Sequence, residues 1–384
     1  MTQKTRIVVA LSGGVDSSVA ALLLKNQGHD VIGLFMRNWH DKDLTINNEC
    51  PWTKDSNDAL EVCNQLGIPF QIIDLSKEYK EKIVDYMLSE YANGNTPNPD
   101  ILCNREIKFN VFLKYALKLK ADYLATGHYC IKGKNQDLYE LKEGQDKTKD
   151  QSYFLCQITQ EQLKKIIFPI GHLTKKEVRE IAKQNNLITA QKKDSQGLCF
   201  VGKIKLPIFL QQKIKNKQGD IIEIDKKNKL YQTPRKIGNN ISYTQKDGMK
   251  IGQHTGSHQF TIGQRKGVNI GGRIKPLFVI NTDIKSNIVY VGMGKTHPGL
   301  FQKSLKIKST FVHWLMAKNK LNINEEKKYL IRIRHRQSLQ KGLLKRSSNY
   351  LYIIFDKEQR GVARGQFAAW YDDKKRLIGS GPID

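Results

Sequence analysis

The turn Ser12–Ser17 has the sequence Ser-Gly-Gly-Val-Asp-Ser and is the most specific chemical motif of the chain. Its glycines allow main-chain N–H groups to approach an anion, and the helix expected after it directs the positive end of its dipole to the same place. Asp16 would repel a phosphate unless a metal ion bridged the two groups, so it is a candidate Mg²⁺ ligand. The turn is therefore predicted to bind the phosphates of a nucleotide.

Two other phosphate-binding sequences do not fit this turn. No Gly-Lys-Ser or Gly-Lys-Thr follows its glycines, as a Walker A loop requires, and the Gly-x-Gly-x-x-Gly pattern of dinucleotide sites is absent from it. The alternative that stays open is a glycine-rich turn between a strand and a helix that binds no ligand.

Cys103 and Cys199 occupy stretches that are predicted to be loops, which makes them candidates for nucleophilic or sulfur-carrying roles. A helix is expected to begin at Asn104, and a helix N-terminus lowers the pKa of a neighbouring thiol. Asp100 is three residues before Cys103 and could exchange a proton with it. If both thiols line the nucleotide site, they could act as a sulfur carrier and a resolving thiol. The alternative for each cysteine is a small buried hydrophobic side chain.

Strands and helices alternate through the first 200 residues. Strands are expected at 6–11, 31–36, 70–75 and 122–126, and helices at 18–26, 56–66, 77–91 and 104–119. This order predicts an α/β fold with a doubly wound parallel sheet. A polar hairpin is expected at 129–143, and the capping box Thr174-x-x-Glu177 predicts that another helix follows.

Short strands and glycine-rich turns dominate after residue 203. We expect a catalytic domain over 1–203, a small and mostly β middle domain over 204–300, and a C-terminal β-barrel over 301–384. A strand is expected at 260–263, and the polar segment 226–252 is predicted to be a flexible insertion. The alternating arginines Arg332, Arg334 and Arg336 suggest either a phosphate-binding stripe or a solvated strand face.

The net charge of +27 comes from 64 Lys and Arg against 37 Asp and Glu. Residues 1–200 carry 27 basic and 25 acidic side chains, whereas residues 201–384 carry 37 and 12. This asymmetry favours a polyanionic partner such as nucleic acid over a general drift toward lysine. The sequence has no apolar run of membrane-spanning length and no signal-peptide pattern at its start, so we expect a cytoplasmic protein that does not bind membranes.

Several segments together resemble one family, the bacterial tRNA-specific 2-thiouridylases. They are Ala10–Ser17, Gly33–Met36, Thr96–Phe109, Ala125–Tyr129, Lys149–Phe154, Lys193–Gly202 and Gly263–Gly267, with weaker matches at Arg334–Gln337 and Gly365–Gln366. The resemblance covers essentially the whole chain. It implies an N-terminal fold like that of the adenine nucleotide alpha hydrolases, with the pyrophosphate loop of the ATP pyrophosphatases at Ser12–Ser17. The segment 226–252 looks longer than the family's usual middle domain.

The resemblance implies ATP-dependent 2-thiolation of the wobble uridine of tRNA. The C2 oxygen of the uridine would be adenylated, and a persulfide on Cys199 would displace AMP. Cys103 would act as nucleophile in the release step and leave a transient Cys103–Cys199 disulfide, while Asp100 would be the general acid/base. The residues implied to bind ATP are Ala10, Leu11, Ser12, Gly13, Gly14, Val15, Asp16, Ser17, Met36 and Gly127.

A second set of residues is implied to contact tRNA. Asn98, Pro99 and Asp100 would hold the flipped base, and the other implied contacts are His128, Lys149, Asp150, Gln151, Arg334, His335 and Gln366. The sulfur would be delivered by a sulfur-relay protein or a cysteine desulfurase, and we expect a monomer.

Two other functions stay open at this point. The chain could be another ATP pyrophosphatase, such as a tRNA lysidine synthetase or an amidotransferase synthetase domain, although those enzymes need no pair of thiols. It could also be a non-catalytic RNA-binding protein that retains the nucleotide loop.

Overall fold

The computed structural model describes residues 4–38, 51–194 and 206–384. Cys199 therefore lies outside the described residues. The chain groups into two compact units. The first comprises the described parts of Met1–Asp85, Pro99–Lys205 and Lys374–Leu377, and the second comprises Tyr86–Asn98, Leu206–Asp373 and Ile378–Asp384.

The first unit is built on a parallel sheet. Its strands and a neighbouring hairpin are β1 Arg6–Leu11, β2 Asp30–Arg37, β3 Phe70–Asp74, β4 Tyr123–Thr126, the hairpin strands β5 Cys130–Asn135 and β6 Leu138–Glu143, and β7 Ile166–Ile167. The sheet order is β3-β2-β1-β4-β7, with parallel pairing throughout. β1 is central, and its apolar run is buried on both faces, as a strand covered by helices on two sides requires. The predicted doubly wound sheet is confirmed.

Helices cover this sheet, and other helices of the chain belong to the second unit. Their α-helical parts are α1 Val15–Asn26, α2 Pro51–Leu66, α3 Ser76–Tyr79, α4 Asp85–Ala92, α5 Pro99–Leu102, α6 Leu113–Lys118, α7 Gln160–Lys164, α8 Lys175–Gln184 and α9 Leu206–Lys213. The predicted capping box begins α8, because the Glu177 N–H donates to Thr174 Oγ1 at 3.3 Å and the Thr174 N–H donates to Glu177 Oε2 at 2.6 Å. The apolar face of α8 packs into the same core as α1.

The helix expected to begin at Asn104 begins at Pro99 instead. α5 runs through the π-helical stretch Cys103–Phe112 into α6, so Cys103 lies within helical structure. The prediction that it lies in a loop beside a helix N-terminus is wrong. A proline fits the first helical turn, because its fixed φ is already helical and its missing N–H would have no partner there. The Asn104 amide caps nothing and donates to the Phe154 carbonyl at 3.1 Å.

The middle region forms a small mixed sheet, as expected. Its strands are β8 Gly219–Glu223, β9 Met249–His254, β10 Leu277–Asp283 and β11 Ile288–Met293, in the order β10-β11-β8-β9. Ile221 and Ile222 are successive residues of β8, and each belongs to a different apolar cluster, so both faces of this sheet are covered. The strand expected at 260–263 is wrong, because this stretch is a turn that ends on Gly263 with a φ of +88°.

The prediction that 226–252 is a flexible insertion is also wrong. Aromatic side chains within this polar stretch complete the core of the middle sheet. Tyr243 is buried together with Tyr290 and Leu300, and its hydroxyl lies 3.0 Å from the Tyr231 hydroxyl. Sparse aromatic residues thus anchor a segment whose overall composition is polar.

The C-terminal region is an antiparallel sheet, in agreement with the predicted β architecture. Its strands are β12 Phe301–Lys308, β13 His313–Trp314, β14 Glu326–Arg332, β15 Gln340–Arg346, β16 Tyr350–Arg360, β17 Phe367–Tyr371 and β18 Leu377–Pro382. They follow the order β12-β16-β15-β14-β17-β18-β13, which makes the sheet a half-barrel with β12 and β13 at its ends. Trp370 is fully buried and packs edge-on against Trp314 at 5.2 Å between ring centroids.

The arginine stripe is not formed. β14 ends at Arg332, which is buried with its guanidinium 4.9 Å from the centre of the Tyr371 ring. Arg334 and Arg336 lie in the turn that follows, where Arg336 has a φ of +63°. The strand ends before the alternation can place the three side chains on one face. Separately, no helix in the described ranges has both the length and the apolar composition needed to cross a membrane.

Replacing Tyr243 by alanine should lower the free energy of unfolding by about 3 kcal/mol, because a large buried aromatic ring is removed from the middle core. Ile237 lies in the same segment and is 52% exposed, so Ile237→Ala should change stability by less than about 0.5 kcal/mol. Urea unfolding of both variants measures this difference. Equal stability of the two variants would support the flexible insertion instead.

Candidate active site

The candidate nucleotide loop lies at the carboxyl edge of the parallel sheet. Ser12 follows β1, Met36 is close to the end of β2, and Gly127 follows β4. β1 pairs with β2 on one side and with β4 on the other. The connections thus lead to opposite sides of β1, and the three positions surround this switch point of the sheet. Ligands of open α/β sheets bind in the crevice at this point.

Two glycines allow the loop to approach its neighbours closely. Gly13 has a φ of +69°, and a Cβ there would stand 2.2 Å from the Asp55 carbonyl oxygen. A Cβ on Gly127 would stand 2.7 Å from the Ser17 nitrogen. A side chain at Gly13 would push the loop away from α2, and a side chain at Gly127 would push the end of β4 away from the N-terminus of α1.

Serine hydroxyls stabilise the shape of the loop. The Ser17 and Ser18 hydroxyls donate to the Gly14 carbonyl at 3.1 and 2.9 Å, and the Ser12 N–H donates to Ser17 Oγ at 3.2 Å. The Ser17 and Ser18 hydroxyls thus hold the first turn of α1. Ser12 is exposed at the mouth of the loop.

A cluster of charged side chains lies beside the loop, and we call it the loop ion-pair network. It consists of Asp16, Lys149, Lys175, Arg179 and Asp194. Lys175 Nζ lies 2.7 and 2.8 Å from the two carboxylate oxygens of Asp16 and 2.8 Å from Asp194 Oδ1. Lys149 Nζ and Arg179 Nη2 bind Asp194 at 2.7 and 2.9 Å.

Electrostatics favour an anion next to this network, because three cationic side chains face two carboxylates. Partial burial alone would raise the pKa of Asp194, but hydrogen bonds from Lys149 and Lys175 outweigh burial and hold that pKa well below its usual range. Asp16 also accepts a hydrogen bond from the Tyr129 hydroxyl at 2.7 Å, and burial together with Asp16 raises the pKa of Tyr129.

Sequence reasoning missed Lys175, Arg179, Asp194 and Tyr129 as members of the site. Lys175 directly follows the capping residue Thr174, so the capping box that identified α8 also placed this lysine at the helix N-terminus. Nothing in the sequence indicated that it would reach Asp16, which is 159 residues earlier. Tyr129 belongs to the segment Ala125–Tyr129 that carried the resemblance, and that was its only signal.

The predicted tRNA contacts Lys149, Asp150 and Gln151 have different surroundings. Lys149 belongs to the loop ion-pair network, whereas Asp150 is buried and accepts hydrogen bonds from the Gly144 and Ser152 N–H groups. Gln151 Oε1 accepts from the Tyr129 N–H at 3.0 Å. Asp150 and Gln151 therefore fix the main chain around the network, and their contact with tRNA stays a prediction.

His128 is buried at the end of β4. Its Nδ1 lies 2.7 Å from Thr126 Oγ1, and its ring packs against Phe109 and Phe168. Burial and the charge of Lys108 hold the pKa of His128 well below its usual value, so the imidazole is neutral at neutral pH. These contacts give His128 a packing role, and its contact with tRNA stays a prediction.

The Cys103 thiol is buried, with an exposed fraction of 1%. Burial raises its pKa to about 11, and the Asp100 carboxylate adds to this, whereas Lys108 and a hydrogen bond from Tyr79 act in the opposite direction. The expectation of a thiolate favoured by a helix N-terminus is therefore wrong. Cys63, Cys130 and Cys156 are buried as well, as small core side chains are.

Four further predicted contacts lie in the second unit, namely Asn98, Arg334, His335 and Gln366, whereas Pro99 and Asp100 belong to the first. Asn98 Nδ2 donates to Gln366 Oε1 at 3.3 Å, so the structure brings these two predicted contacts together. Arg334 is exposed and donates to the Arg360 carbonyl at 3.1 Å, and His335 follows it in the same turn. Pro99 is buried at the start of α5, and Asp100 is partly exposed beside it.

The fold and the loop define a protein with an N-terminal nucleotide-binding domain followed by two β-rich regions. Comparisons with protein families agree. Residues 5–203 match the family described as the tRNA methyl transferase HUP domain, residues 208–293 match the tRNA methyl transferase PRC-barrel domain, and residues 304–383 match the aminomethyltransferase beta-barrel domain.

Full-length relatives specify the family further. The chain is 55% identical to a tRNA-specific 2-thiouridylase MnmA of Flavobacterium johnsoniae over 393 aligned positions that cover 98% of this chain and 99% of the relative. It is 53% identical to that of Christiangramia forsetii with the same coverage, and 43% identical to that of Bacillus subtilis over 100% of this chain and 95% of the relative. The chain therefore belongs to the family of tRNA-specific 2-thiouridylases.

Alkylation of Cys103 by iodoacetamide should be slow at neutral pH and should still accelerate between pH 9 and pH 10, because only the thiolate reacts and the pKa is raised to about 11. Asp100→Asn should move this profile to lower pH and Lys108→Gln should move it to higher pH. Mass spectrometry of the Cys103 peptide after timed alkylation gives the profile. A rate that levels off below pH 8 would contradict the buried thiol.

Proposed function

We propose that the chain is an ATP-dependent tRNA-uridine 2-sulfurtransferase that thiolates C2 of the wobble uridine. The observation that carries this proposal is the glycine loop with a net-positive network at the carboxyl edge of the sheet, in a chain whose relatives are named tRNA-specific 2-thiouridylases. We also propose that residues 1–203, 204–300 and 301–384 act as three domains, with the latter two presenting most of the excess positive charge to tRNA.

ATP would bind along the loop Ala10–Ser17. The phosphates would meet the N-terminus of α1, where free N–H groups and the helix dipole favour anions. Lys175 would exchange its contact with Asp16 for a contact with the phosphates, because a phosphate carries more negative charge than the carboxylate. Met36 and Gly127 flank the loop at the adjoining strand ends and would contact the adenosine.

Mg²⁺ would accompany the nucleotide. The ion commonly binds through one or two carboxylates together with substrate phosphates, so it needs no cage of protein ligands. Within the described ranges no group of three His, Cys, Asp or Glu side chains is arranged to hold a metal. Asp16 is the carboxylate of the loop, and it would become available as Lys175 turns to the phosphates. When bound, Mg²⁺ would neutralise charge on the phosphates.

The first step would activate the uridine. Its C2 oxygen would attack the α-phosphate of ATP, and pyrophosphate would leave. The poor leaving group at C2 is thereby converted into AMP. The base has to leave its stack to reach the site, and Asn98, Pro99 and Asp100 would hold it there, with Asp100 as general acid/base.

The second step would transfer sulfur. The terminal sulfur of a Cys199 persulfide, supplied by a sulfur-relay protein or a cysteine desulfurase, would attack C2 and displace AMP. The Cys103 thiolate would then attack the Cys199 sulfur and release 2-thiouridine. The resulting Cys103–Cys199 disulfide would be reduced by an external dithiol before the next turnover. Burial of Cys103 protects its thiol from reaction before this step.

Cys199→Ser and Cys103→Ser should each abolish formation of 2-thiouridine, because the first removes the sulfur carrier and the second the releasing nucleophile. Cys63→Ala should retain activity within about twofold, since Cys63 is a core side chain. Mass spectrometry of nucleosides from tRNA treated with ATP and a persulfide donor measures the product. Normal thiolation by Cys199→Ser would contradict the persulfide role, and tRNA-dependent ATP consumption without thiolation by the unmodified protein would favour another ATP pyrophosphatase.

Lys175→Met should slow tRNA-dependent ATP–pyrophosphate exchange by about 100-fold, as the loss of a charged donor from a transition state does in other enzymes. Lys132→Met is the matched control, because its ammonium binds only main-chain carbonyls of Lys164 and Ile166 among its hydrogen bonds. tRNA affinity should be unchanged in both. Exchange at the normal rate in Lys175→Met would show that the network plays no part in adenylation.

A further inference from the structure

The Asp16 carboxylate has a second hydrogen-bond partner besides Lys175, namely the hydroxyl of Tyr129. The Tyr129 hydroxyl donates to Asp16 Oδ1 at 2.7 Å, and Lys175 Nζ lies 2.7 Å from the same oxygen. Asp16 Oδ2 has one partner among the described residues, the Lys175 ammonium at 2.8 Å. The surroundings of the two carboxylate oxygens therefore differ.

The ring of Tyr129 is packed where it can keep this contact. Tyr129 is 2% exposed and belongs to the same apolar cluster as Val15 of α1 and Val178 of α8. Asp16 directly follows Val15, and Lys175 lies on the helix that carries Val178. The ring thus packs with residues of both helices whose charged side chains meet at the Asp16 carboxylate.

Gln151 fixes the main chain of Tyr129 at two points. Its Oε1 accepts from the Tyr129 N–H at 3.0 Å, and its own N–H donates to the Tyr129 carbonyl at 3.1 Å. A Cβ on Gly144 would stand 2.5 Å from that carbonyl oxygen, so glycine at this position permits a close approach to Tyr129. Tyr129 is therefore held by its main chain and by its ring, and its hydroxyl occupies a defined place beside Asp16.

The two partners of Asp16 differ in how they would respond to ATP. In the proposed function the Lys175 ammonium turns from Asp16 to the phosphates. The Tyr129 hydroxyl is neutral and is attached to a packed ring, so it would stay on Oδ1. Oδ2 would then lose the Lys175 contact and become the oxygen that is open to a cation.

We propose that Tyr129 is a positioning residue, which holds Oδ1 of the Asp16 carboxylate so that Oδ2 receives the magnesium ion that accompanies ATP. This inference rests on the proposed function, because that function supplies the nucleotide and its ion. Mg²⁺ accepts only a nearly octahedral arrangement of oxygen ligands. A hydrogen bond to a ligating carboxylate fixes its orientation and thereby contributes to metal affinity.

Tyr129→Phe tests this role, because phenylalanine keeps the packed ring and removes only the hydroxyl. Calorimetric titration of the full-length protein with ATP at increasing Mg²⁺ concentration, and again in EDTA, measures how far the affinity for ATP depends on the ion. We expect the Mg²⁺ concentration that gives half of the gain in affinity to rise about 10-fold, since loss of a partner of a ligating group commonly costs roughly 10- to 100-fold in metal affinity. The affinity in EDTA and the thermal midpoint should match those of the unmodified protein.

Tyr123→Phe is the matched control and should leave all three quantities unchanged. Tyr123 begins β4, the strand that ends three residues before Tyr129, and its hydroxyl makes no hydrogen bond within the part of the chain that the structure describes.

Added Mg²⁺ separates positioning from a structural role. Pyrophosphate exchange by Tyr129→Phe in the presence of tRNA should be slow at low Mg²⁺ and should recover as the ion concentration is raised. If Tyr129 acts through Asp16, Tyr129→Phe should not change the Mg²⁺ dependence of Asp16→Asn any further. An unchanged Mg²⁺ dependence of Tyr129→Phe would overturn the inference, as would equal losses of ATP affinity with and without Mg²⁺ or additive losses with Asp16→Asn. If the unmodified protein bound ATP with Mg²⁺ and formed no 2-thiouridine, the proposed function would fail instead.

Discussion

The ion pair between Lys175 and Asp16 joins the glycine loop to the N-terminus of a helix 159 residues later. It places a cation beside the loop and pairs the carboxylate of Asp16, whose charge would repel a phosphate in the proposed site. Asp194 holds Lys175 from the other side and also binds Lys149 and Arg179. The network therefore carries a net positive charge beside the loop, and both of its carboxylates are paired within the protein.

The Cys103 thiol differs from the charged groups of the network, because burial keeps it uncharged. Cys103 is enclosed within helical structure, and burial keeps its thiol protonated at neutral pH. In the proposed reaction Cys103 acts only in the release step, and burial suits that role, because an exposed thiolate would react with oxidants or attack a persulfide too early. The helical stretch that carries Cys103 begins at Pro99, directly after Asn98.

The sequence predicts the structure correctly where residues close together in the chain determine it. The buried run of β1, the loop at Ser12–Ser17 and the capping box at Thr174 each depend on neighbours a few residues apart, and each was predicted. The position of Lys175 in the site was missed, because its partner Asp16 lies 159 residues earlier in the chain. The start of the Cys103 helix was misjudged, since Pro99 is compatible both with an extended stretch and with a first helical turn.

Central to the proposed reaction is adenylation of the uridine C2 oxygen before sulfur arrives. A tRNA carrying ¹⁸O at C2 of the wobble uridine tests it directly, with the full-length protein, ATP and a persulfide donor. We expect each AMP formed to carry one ¹⁸O atom and one AMP to form for each 2-thiouridine. Unlabelled AMP, accompanied by normal thiolation, would contradict it, because the oxygen would then have left C2 without passing through the adenylate.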